Sequence, residues 1–287
     1  MADQPTPPPG LGTGMFDDYA PAQMARRVET MGVAKAALPL VPLFTLAVLA
    51  GAFIALGAMF YTVTMTGHGM GLGPSRLLGG VAFSLGLVLV VVGGAELFTG
   101  NLLLVMGWAS RKIATRALLR NWAVAYAGNL AGAVGMAFLA YWSGFMDMGS
   151  GTVGGTAVKI ATAKAELDFT TAFVRGVLCN TLVCLAVWLC FASHNVIGKI
   201  FAILFPITAF VALGFEHSVA NMYFIPVGMM AAGNETYVAA AGLLPAGAGL
   251  TLGGFIGNLV PVTLGNMVGG GLFVAGTYYL VYLRPHS

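Results

Sequence analysis

The sequence predicts an all-α membrane protein with six transmembrane helices, arranged as two inverted repeats of three helices each. Three observations support this prediction: the composition, six long apolar stretches, and a motif that occurs once in each half. Of the 287 residues, 58% are apolar and 8% are charged, whereas soluble domains contain about 45–50% and about 25%. With a mean hydropathy of +0.88, the chain has too few charged side chains to cover a soluble globule, so a multispan membrane protein is expected.

Each of the six apolar stretches is long enough to cross a bilayer, which requires about 20 residues. They cover residues 36–65, 77–110, 121–144, 173–193, 200–232 and 246–283. The second, fifth and sixth are too long for one straight helix and too short for two, so we expect them to be tilted, kinked or broken. In the second stretch the glycines Gly79-Gly80, Gly86 and Gly93-Gly94 are candidate break points.

Two segments precede the apolar part of the chain. Residues 1–19 begin with a proline-rich run and predict a disordered tail, without the basic and apolar regions of a signal peptide. Residues 20–35 mix apolar and basic side chains at helical spacing, which predicts a short interfacial amphipathic helix. Residues 36–287 form the six-span domain, with repeats at about 36–144 and 171–283.

The basic residues predict how the chain is oriented. If the six spans alternate in direction, the nine residues on one side are Arg26, Arg27, Lys35, Arg111, Lys112, Arg116, Arg120, Lys199 and Arg284. The four residues on the opposite side are Arg76, Lys159, Lys164 and Arg175. Because cytoplasmic loops carry an excess of Lys and Arg, this bias predicts that both termini are cytoplasmic.

Two patterns occur in the same order in both halves. The pattern G-x-E-x-x-x-x-N occupies residues 94–101 and 214–221, and N-x6-G-N-x2-G occupies residues 121–132 and 258–269. Together they indicate duplication of a unit of three spans. Because three is an odd number, the second copy must be inverted in the membrane.

Three ionisable side chains fall well inside the apolar stretches, where such groups are costly and therefore mark candidate functional sites. They are Glu96, Glu216 and His217. The glutamates are expected to hold broken helices together, with Asn101 and Asn221 as hydrogen-bonding partners at the helix ends. This structural role and a role in binding both remain open from the sequence alone.

His217 and Thr99 differ from the rest of the repeat. The counterpart of His217 in the first half is Leu97, so the repeat does not explain the imidazole. Imidazole exchanges a proton near physiological pH, although a membrane histidine can also be a packing residue. Thr99 offers a hydroxyl near the Glu96 break, or a hydrogen bond back to its own helix.

The sequence gives no sign of catalysis, metal binding or nucleic-acid binding. It contains no Walker loop, no HExxH, no CxxC and no G-x-S-x-G, and basic residues are too few for nucleic acid. Cys179, Cys184 and Cys190 fall in one apolar stretch without a metal-ligand spacing. We therefore expect no enzyme, no metal site and no cofactor.

Four segments resemble the signature segments of formate/nitrite transporters. They are ELFTGN at 96–101, NWAVAYAGN at 121–129, RGVLCNTLVCLAVW at 175–188 and FPITAFVALGFEHSVANMYFIPVG at 205–228. The resemblance covers essentially all of residues 20–283. It implies a pentamer of aquaporin-like protomers in the lipid of a bacterial or archaeal plasma membrane, each with its own pore for a small monovalent anion and with cytoplasmic termini.

The resemblance also implies roles for individual residues. His217 would be the central pore histidine, with Thr99 facing it and Asn180 close by, and Lys164 would draw anions into the outer vestibule. An outer constriction would consist of Phe83, Leu87 and Phe210, with Leu87 on a mobile loop that interrupts the second span. An inner constriction would consist of Leu97, Phe98 and Val183.

The segment after the histidine, SVANMYFIPVGM, is more similar to formate-type than to nitrite-type members because of Tyr223 and Pro226. The resemblance thus implies a channel for formate or formic acid, with proton exchange at His217. Nitrite and hydrosulfide remain alternatives within the family. An aquaporin-like channel for neutral solutes is an alternative from another class, but the chain has no N-P-A pair, and residues 258–261 read N-L-V-P.

Overall fold

A computed structural model describes residues 18–67, 69–243 and 250–284 of the chain. Within these ranges the secondary structure is helical, and no strand is present. The α-helices are α1 (Pro21–Ala36), α2 (Leu40–Thr64), α3 (Leu72–Gly93), α4 (Val105–Ala109), α5 (Thr115–Trp142), α6 (Thr152–Ala165), α7 (Phe169–Cys190), α8 (Val196–Ala212), α9 (Ser218–Ala231), α10 (Glu235–Ala240), α11 (Leu252–Met267) and α12 (Thr277–Tyr282). The helix predicted for residues 20–35 is present as α1, whereas most of the predicted tail lies outside the described residues.

Five helices in the described ranges are long and apolar enough to cross a membrane. They are α2, α3, α5, α7 and the continuous segment Leu252–Tyr282. Three shorter apolar helices accompany them, Gly100–Ala109, α8 and α9. The protein is therefore a multi-pass membrane protein whose apolar stretches include two that are divided into shorter helices.

The predicted interruptions of the second and fifth stretches are present. The first follows α3, where Gly94 has φ +78°, and the chain becomes helical again with a 3₁₀ turn at Gly100–Leu104 that leads into α4. The second follows α8, where Gly214 has φ +72°, and α9 begins at Ser218. Glycine at these positions ends each helix because positive φ is costly for residues with a Cβ.

The expectation that Leu87 lies on a loop is wrong. Leu87 is inside α3 and is 2% exposed. Gly80 and Gly86 do not break the helix, because they provide close approach to neighbouring helices: a methyl group on Gly80 would lie 2.6 Å from the Thr208 carbonyl oxygen. Only Gly93-Gly94, with no helix packed closely against Gly94, ends α3.

The sixth stretch is irregular, as its length predicts. Between α11 and α12, residues Val268–Gly276 form a π-helical segment. Such segments are rare and occur frequently at functional sites. The segment packs against the 3₁₀ turn at Gly100–Leu104, immediately after the first interruption.

The connection between the third and fourth stretches contains α6, which hydrophobic periodicity did not reveal. α6 packs on α9 at Gly228, where a methyl group would lie 2.1 Å from the Ala161 Cβ. It ends just after Lys164 and leads directly into α7. In the same way α1 ends just after Lys35 and leads into α2.

Candidate functional site

The two interruptions meet at the centre of the molecule through His217 and Thr99. The Nε2 atom of His217 lies 2.9 Å from the Thr99 Oγ1. His217 is the residue before α9, and its Nδ1 accepts a hydrogen bond of 3.1 Å from the Ala220 backbone N–H. The side chains are buried, with exposures of 2% for His217 and 0% for Thr99. The structure therefore brings together the two residues that the resemblance places opposite each other.

These hydrogen bonds define the tautomer of His217. Because the Nδ1 accepts from the Ala220 N–H, the proton of a neutral imidazole must be on the Nε2. The Nε2–H therefore donates to the Thr99 Oγ1. The Thr99 hydroxyl proton is therefore not shared with His217.

Asn180 holds the backbone next to this pair. Its Nδ2 donates to the carbonyl oxygen of Thr99 at 3.2 Å and to the carbonyl oxygen of Asn266 at 2.9 Å. The Cys184 Sγ also donates to the Thr99 carbonyl oxygen, at 3.3 Å. Asn180 thus contacts the main chain that carries Thr99, and it connects this chain to the last span.

The carboxylate of Glu96 is surrounded by donors. It accepts hydrogen bonds from the Lys35 Nζ at 2.9 Å and the Asn101 Nδ2 at 2.8 Å. Asn101 also donates to the Asn121 Oδ1 at 3.0 Å, and Asn121 donates to the Lys35 carbonyl oxygen at 3.1 Å. The four residues form a closed network around a carboxylate that is 4% exposed.

The second half contains the same network around Glu216. The carboxylate accepts from the Lys164 Nζ at 2.9 Å and from the Asn221 Nδ2 at 2.7 Å. Asn221 donates to the Asn258 Oδ1 at 2.7 Å, and Asn258 donates to the Lys164 carbonyl oxygen at 2.8 Å. These four hydrogen bonds match those of the first half in residue types, atoms and order, whereas the further bond from the Lys35 Nζ to the Asn101 Oδ1, at 3.1 Å, has no counterpart at Asn221.

A further asparagine holds the unwound backbone at each interruption. The Asn129 Nδ2 donates to the carbonyl oxygens of Glu96 at 3.0 Å and Ala47 at 2.8 Å, and its Oδ1 accepts from the Phe98 N–H at 2.8 Å. Backbone groups freed inside a membrane need such partners, because no water is available in the hydrocarbon region.

Asn266 does the same in the second half. It donates to the carbonyl oxygens of Glu216 at 3.0 Å and Gly176 at 2.8 Å, and it accepts from the Ser218 N–H at 2.9 Å. Asn129 and Asn266 are the second asparagines of the repeated N-x6-G-N motif, whose structural role the sequence alone did not assign.

Sequence reasoning assigned no site role to three members of these networks, Lys35, Asn121 and Asn258; the asparagines were noted only as part of a repeated motif, and Lys35 was not connected with the repeat at all. The signal was present: the tripeptide Ala-Lys-Ala occurs at residues 34–36 and 163–165, just before the first helix of each half. The repeat therefore begins one helix earlier than the apolar stretches indicate. The resemblance identifies Lys164 as a residue of the outer vestibule, but the sequence did not predict its ion pair with Glu216.

One cavity, of about 180 Å³, reaches His217 from one side. Its polar lining includes Arg76, Lys164, Arg175, Glu216 and His217, and its apolar lining includes Phe83 and Phe210. The rings of Phe83 and Phe210 are edge to face, with centroids 5.7 Å apart. We call it the basic cavity, because Arg76, Lys164 and Arg175 line it.

A second cavity, of about 450 Å³, lies on the other side of the interruption after α3. Its lining includes Arg27, Lys35, Lys199, Glu96, Asn101, Leu87 and Leu97. We call it the α1 cavity, because α1 provides Arg27 and Lys35. Leu87 therefore lines this cavity, one turn along α3 from Phe83, which lines the basic cavity.

The remaining predicted pore residues are buried away from both cavities. The Phe98 ring packs against Tyr126, with centroids 5.0 Å apart, and against Trp122, at 6.5 Å. Val183 is 1% exposed and lines neither cavity. Phe98 and Leu97 are adjacent in the sequence, but the Leu97 side chain lines the α1 cavity whereas the Phe98 ring packs on Tyr126 and Trp122.

A model of the formate/nitrite transporter family matches residues 22–280 of the chain. The chain belongs to this family. Its members are channels and transporters, so the protein is not an enzyme. A relative from Escherichia coli K12, the formate channel FocA, is 42% identical over 277 residues, which are 95% of this chain and 97% of that protein.

Two further relatives extend the comparison. A probable formate transporter from Methanothermobacter thermautotrophicus is 42% identical over 282 residues, covering 92% of this chain and 97% of that one. A solved structure described as a pentameric formate channel with formate bound has a TM-score of 0.80 and 42% identity, and the match covers 85% of this chain and 98% of that one.

Proposed function

We propose that the protein is a membrane channel for formate and assembles as a homopentamer in which each chain has its own pore. Full-length relatives with 42% identity are named formate channels, and the similar solved structure is a pentameric formate channel. Nitrite and hydrosulfide, like the neutral solutes of aquaporin-like channels, are less well supported. No cofactor is needed for this function.

The observation that carries the proposal is the buried His217–Thr99 pair, in which His217 lines the basic cavity, while the interruption that carries Thr99 borders the α1 cavity. Each cavity attracts anions because its lining is basic overall: Lys164 and Lys35 are paired with glutamates, and each cavity has two further basic residues, Arg76 and Arg175 in one and Arg27 and Lys199 in the other. The barrier between the cavities consists of Phe83 and Phe210 beside the basic cavity, Leu87 and Leu97 beside the α1 cavity, and the buried Phe98 and Val183. These apolar groups exclude hydrated ions because a bare charge is costly to desolvate.

Formate crosses this barrier with the help of hydrogen bonds at its centre. The Thr99 hydroxyl donates to the anion, because its oxygen already accepts the His217 Nε2–H. A proton that reaches the carboxylate converts formate into neutral formic acid, which passes apolar residues at much lower cost. For His217 to exchange that proton, its Nδ1 must take up a proton in place of the Ala220 hydrogen bond, so that the imidazolium can pass its Nε2 proton through Thr99 to formate. Asn180 keeps Thr99 in place.

The topology follows from the repeat. We propose six spans, with the second and fifth formed by pairs of short helices, in two inverted units that place both termini in the cytoplasm. The matched networks of Glu96 and Glu216 support this arrangement, as does the excess of basic residues on one side. In a bacterial or archaeal cell the membrane would be the plasma membrane.

The test compares wild type with His217→Ala in proteoliposomes. We expect wild type to carry formate faster than nitrite, hydrosulfide and glycerol. His217→Ala should lower formate flux by about a hundredfold while the pentamer, measured by size exclusion, stays intact. Unchanged formate flux in an intact His217→Ala pentamer would sink the proton-exchange role.

A further inference from the structure

In the first half of the chain, α2 and α5 pack against each other through a glycine of α2. Gly51 faces α5, and a methyl group there would lie 2.1 Å from the Asn129 carbonyl oxygen and 2.9 Å from the Ala133 backbone nitrogen. At this contact α5 is an ordinary α-helix with a buried alanine, Ala133. The helices touch, and no side chain fits between them.

In the second half the glycine and the larger residue of this contact have changed places: the glycine is on the last span and the larger residue is on α7. Ala47 and Gly176 accept equivalent hydrogen bonds, from Asn129 and Asn266. Four residues further on, Gly51 in the first half corresponds to Asn180 in the second. By the N-x6-G-N motif, Ala133 corresponds to Gly270.

Gly270 provides the space that the Asn180 amide occupies. A methyl group on Gly270 would lie 2.4 Å from the Asn180 Nδ2 and 2.7 Å from the Cys184 Sγ. Heavy atoms cannot approach so closely, so the amide would have to move. The amide occupies this space while it donates to the carbonyl oxygen of Asn266, the counterpart of the Asn129 oxygen that Gly51 touches.

The helix changes its winding at the same place. The π-helical segment begins at Val268, two residues after Asn266, and includes Gly270. The corresponding part of α5 remains α-helical. A π-helix has one more residue per closed hydrogen-bonded ring and is therefore wider than an α-helix, which accommodates a side chain that the first half lacks.

The consequence reaches the pore, because Asn180 also donates to the Thr99 carbonyl oxygen. We propose that Gly270 and the π-helical segment are a positioning device for transport: they seat the Asn180 amide, which fixes Thr99 opposite His217. This inference rests on the proposed function of the His217–Thr99 pair. Gly270 touches no substrate and acts only through Asn180.

The test substitutes Gly270→Ala and measures formate flux in proteoliposomes. We expect the maximal flux per pentamer to fall at least about tenfold, while the formate concentration at half-maximal flux stays near the wild-type value, because Gly270 lines neither cavity. Gly271→Ala is the matched control, because a methyl group there would meet only the Val105 Cγ2, at an ordinary 3.5 Å. Wild-type flux in Gly270→Ala would overturn the inference.

A double variant separates positioning from packing. Asn180→Gly with Gly270→Ala recreates the Gly51–Ala133 pair of the first half, so we expect thermal stability to recover relative to Gly270→Ala alone. Formate flux should stay low, because the amide is missing. Recovery of flux together with stability would show that Gly270 matters only for packing.

A third variant and an internal reference make the result unambiguous. If Gly270→Ala does not assemble, Asn180→Ala removes the amide without adding volume and should show the same loss of flux, and wild-type flux there would overturn the inference. His217→Ala is measured in parallel. Loss of flux in His217→Ala with full flux in Gly270→Ala rejects this inference alone, whereas full flux in His217→Ala rejects the proposed function and the inference with it.

Discussion

The two helix interruptions are held by matching hydrogen-bond networks, but the residues beside these networks are different. Both contain a lysine, a glutamate and two asparagines in one closed network, and both have an asparagine that holds the unwound backbone. The residues next to these networks differ. Leu97 corresponds to His217, and Thr99 corresponds to Val219. What the halves share holds the backbone, and what they do not share meets at the 2.9 Å contact between Thr99 and His217.

The largest effect is expected when the carboxylates of Glu96 and Glu216 are removed one at a time. Glu96→Ala and Glu216→Ala each remove an acceptor from a partly exposed lysine and from a buried asparagine, so each should lower the free energy of unfolding by about 1–3 kcal/mol. Unfolding titrations in mixed detergent micelles measure both variants.

The comparison requires the two losses to be similar. Glu166→Ala is a suitable control, because this glutamate lies at the end of α6 outside the network. A large loss for one carboxylate and none for the other would mean that the matched networks do not have the same role.

Much of this support was predictable from the sequence. Glu96 and Glu216, with Asn101 and Asn221, were recognisable because charged and amide side chains are rare in apolar stretches and recur at one spacing. The two interruptions were predictable for the same reason. Lys35 was missed because it precedes the first apolar stretch, and the repeat was defined by those stretches.

Other features depend on contacts between distant segments. In the sequence, a glycine that ends a helix cannot be distinguished from a glycine that lets a neighbouring helix pack closely. The sequence alone therefore could not show that α3 continues through Gly86 and includes Leu87. α6 is too short and mixed in composition to resemble a span. The exchange between Gly51–Ala133 and Asn180–Gly270 becomes visible only when the halves are aligned through their hydrogen bonds.

A smaller difference concerns the start of the first span of each half. Asp168 caps α7 by accepting from the Thr171 N–H at 3.0 Å, whereas its counterpart before α2 is Pro39, which makes no side-chain cap. The hydrogen bonds from Thr171 hold the pKa of the Asp168 carboxyl below its usual value. A carboxyl whose folded-state pKa is lowered stabilises the fold above its unfolded pKa, and this contribution is lost as pH falls through the folded value.

Asp168→Asn therefore sharpens the comparison, because asparagine keeps the cap and removes the charge. We expect a slightly lower thermal midpoint than wild type near neutral pH, and convergence of the two midpoints as pH falls below about 4. A difference that persists at low pH would contradict the assigned cause. The same measurement on Pro39→Ala should show no such pH dependence.

The most direct test of the account is formate flux through Thr99→Val, which removes one hydroxyl and copies Val219, the counterpart residue. Shape is nearly unchanged, so the pentamer should assemble, but the buried His217 Nε2–H loses its acceptor and the free energy of unfolding should fall by about 1–3 kcal/mol. Because the anion loses a hydrogen bond worth about 1.5–3 kcal/mol, we predict that formate flux falls at least about tenfold. Wild-type flux in an intact Thr99→Val pentamer would contradict the claim that the unshared residues of the two halves carry transport.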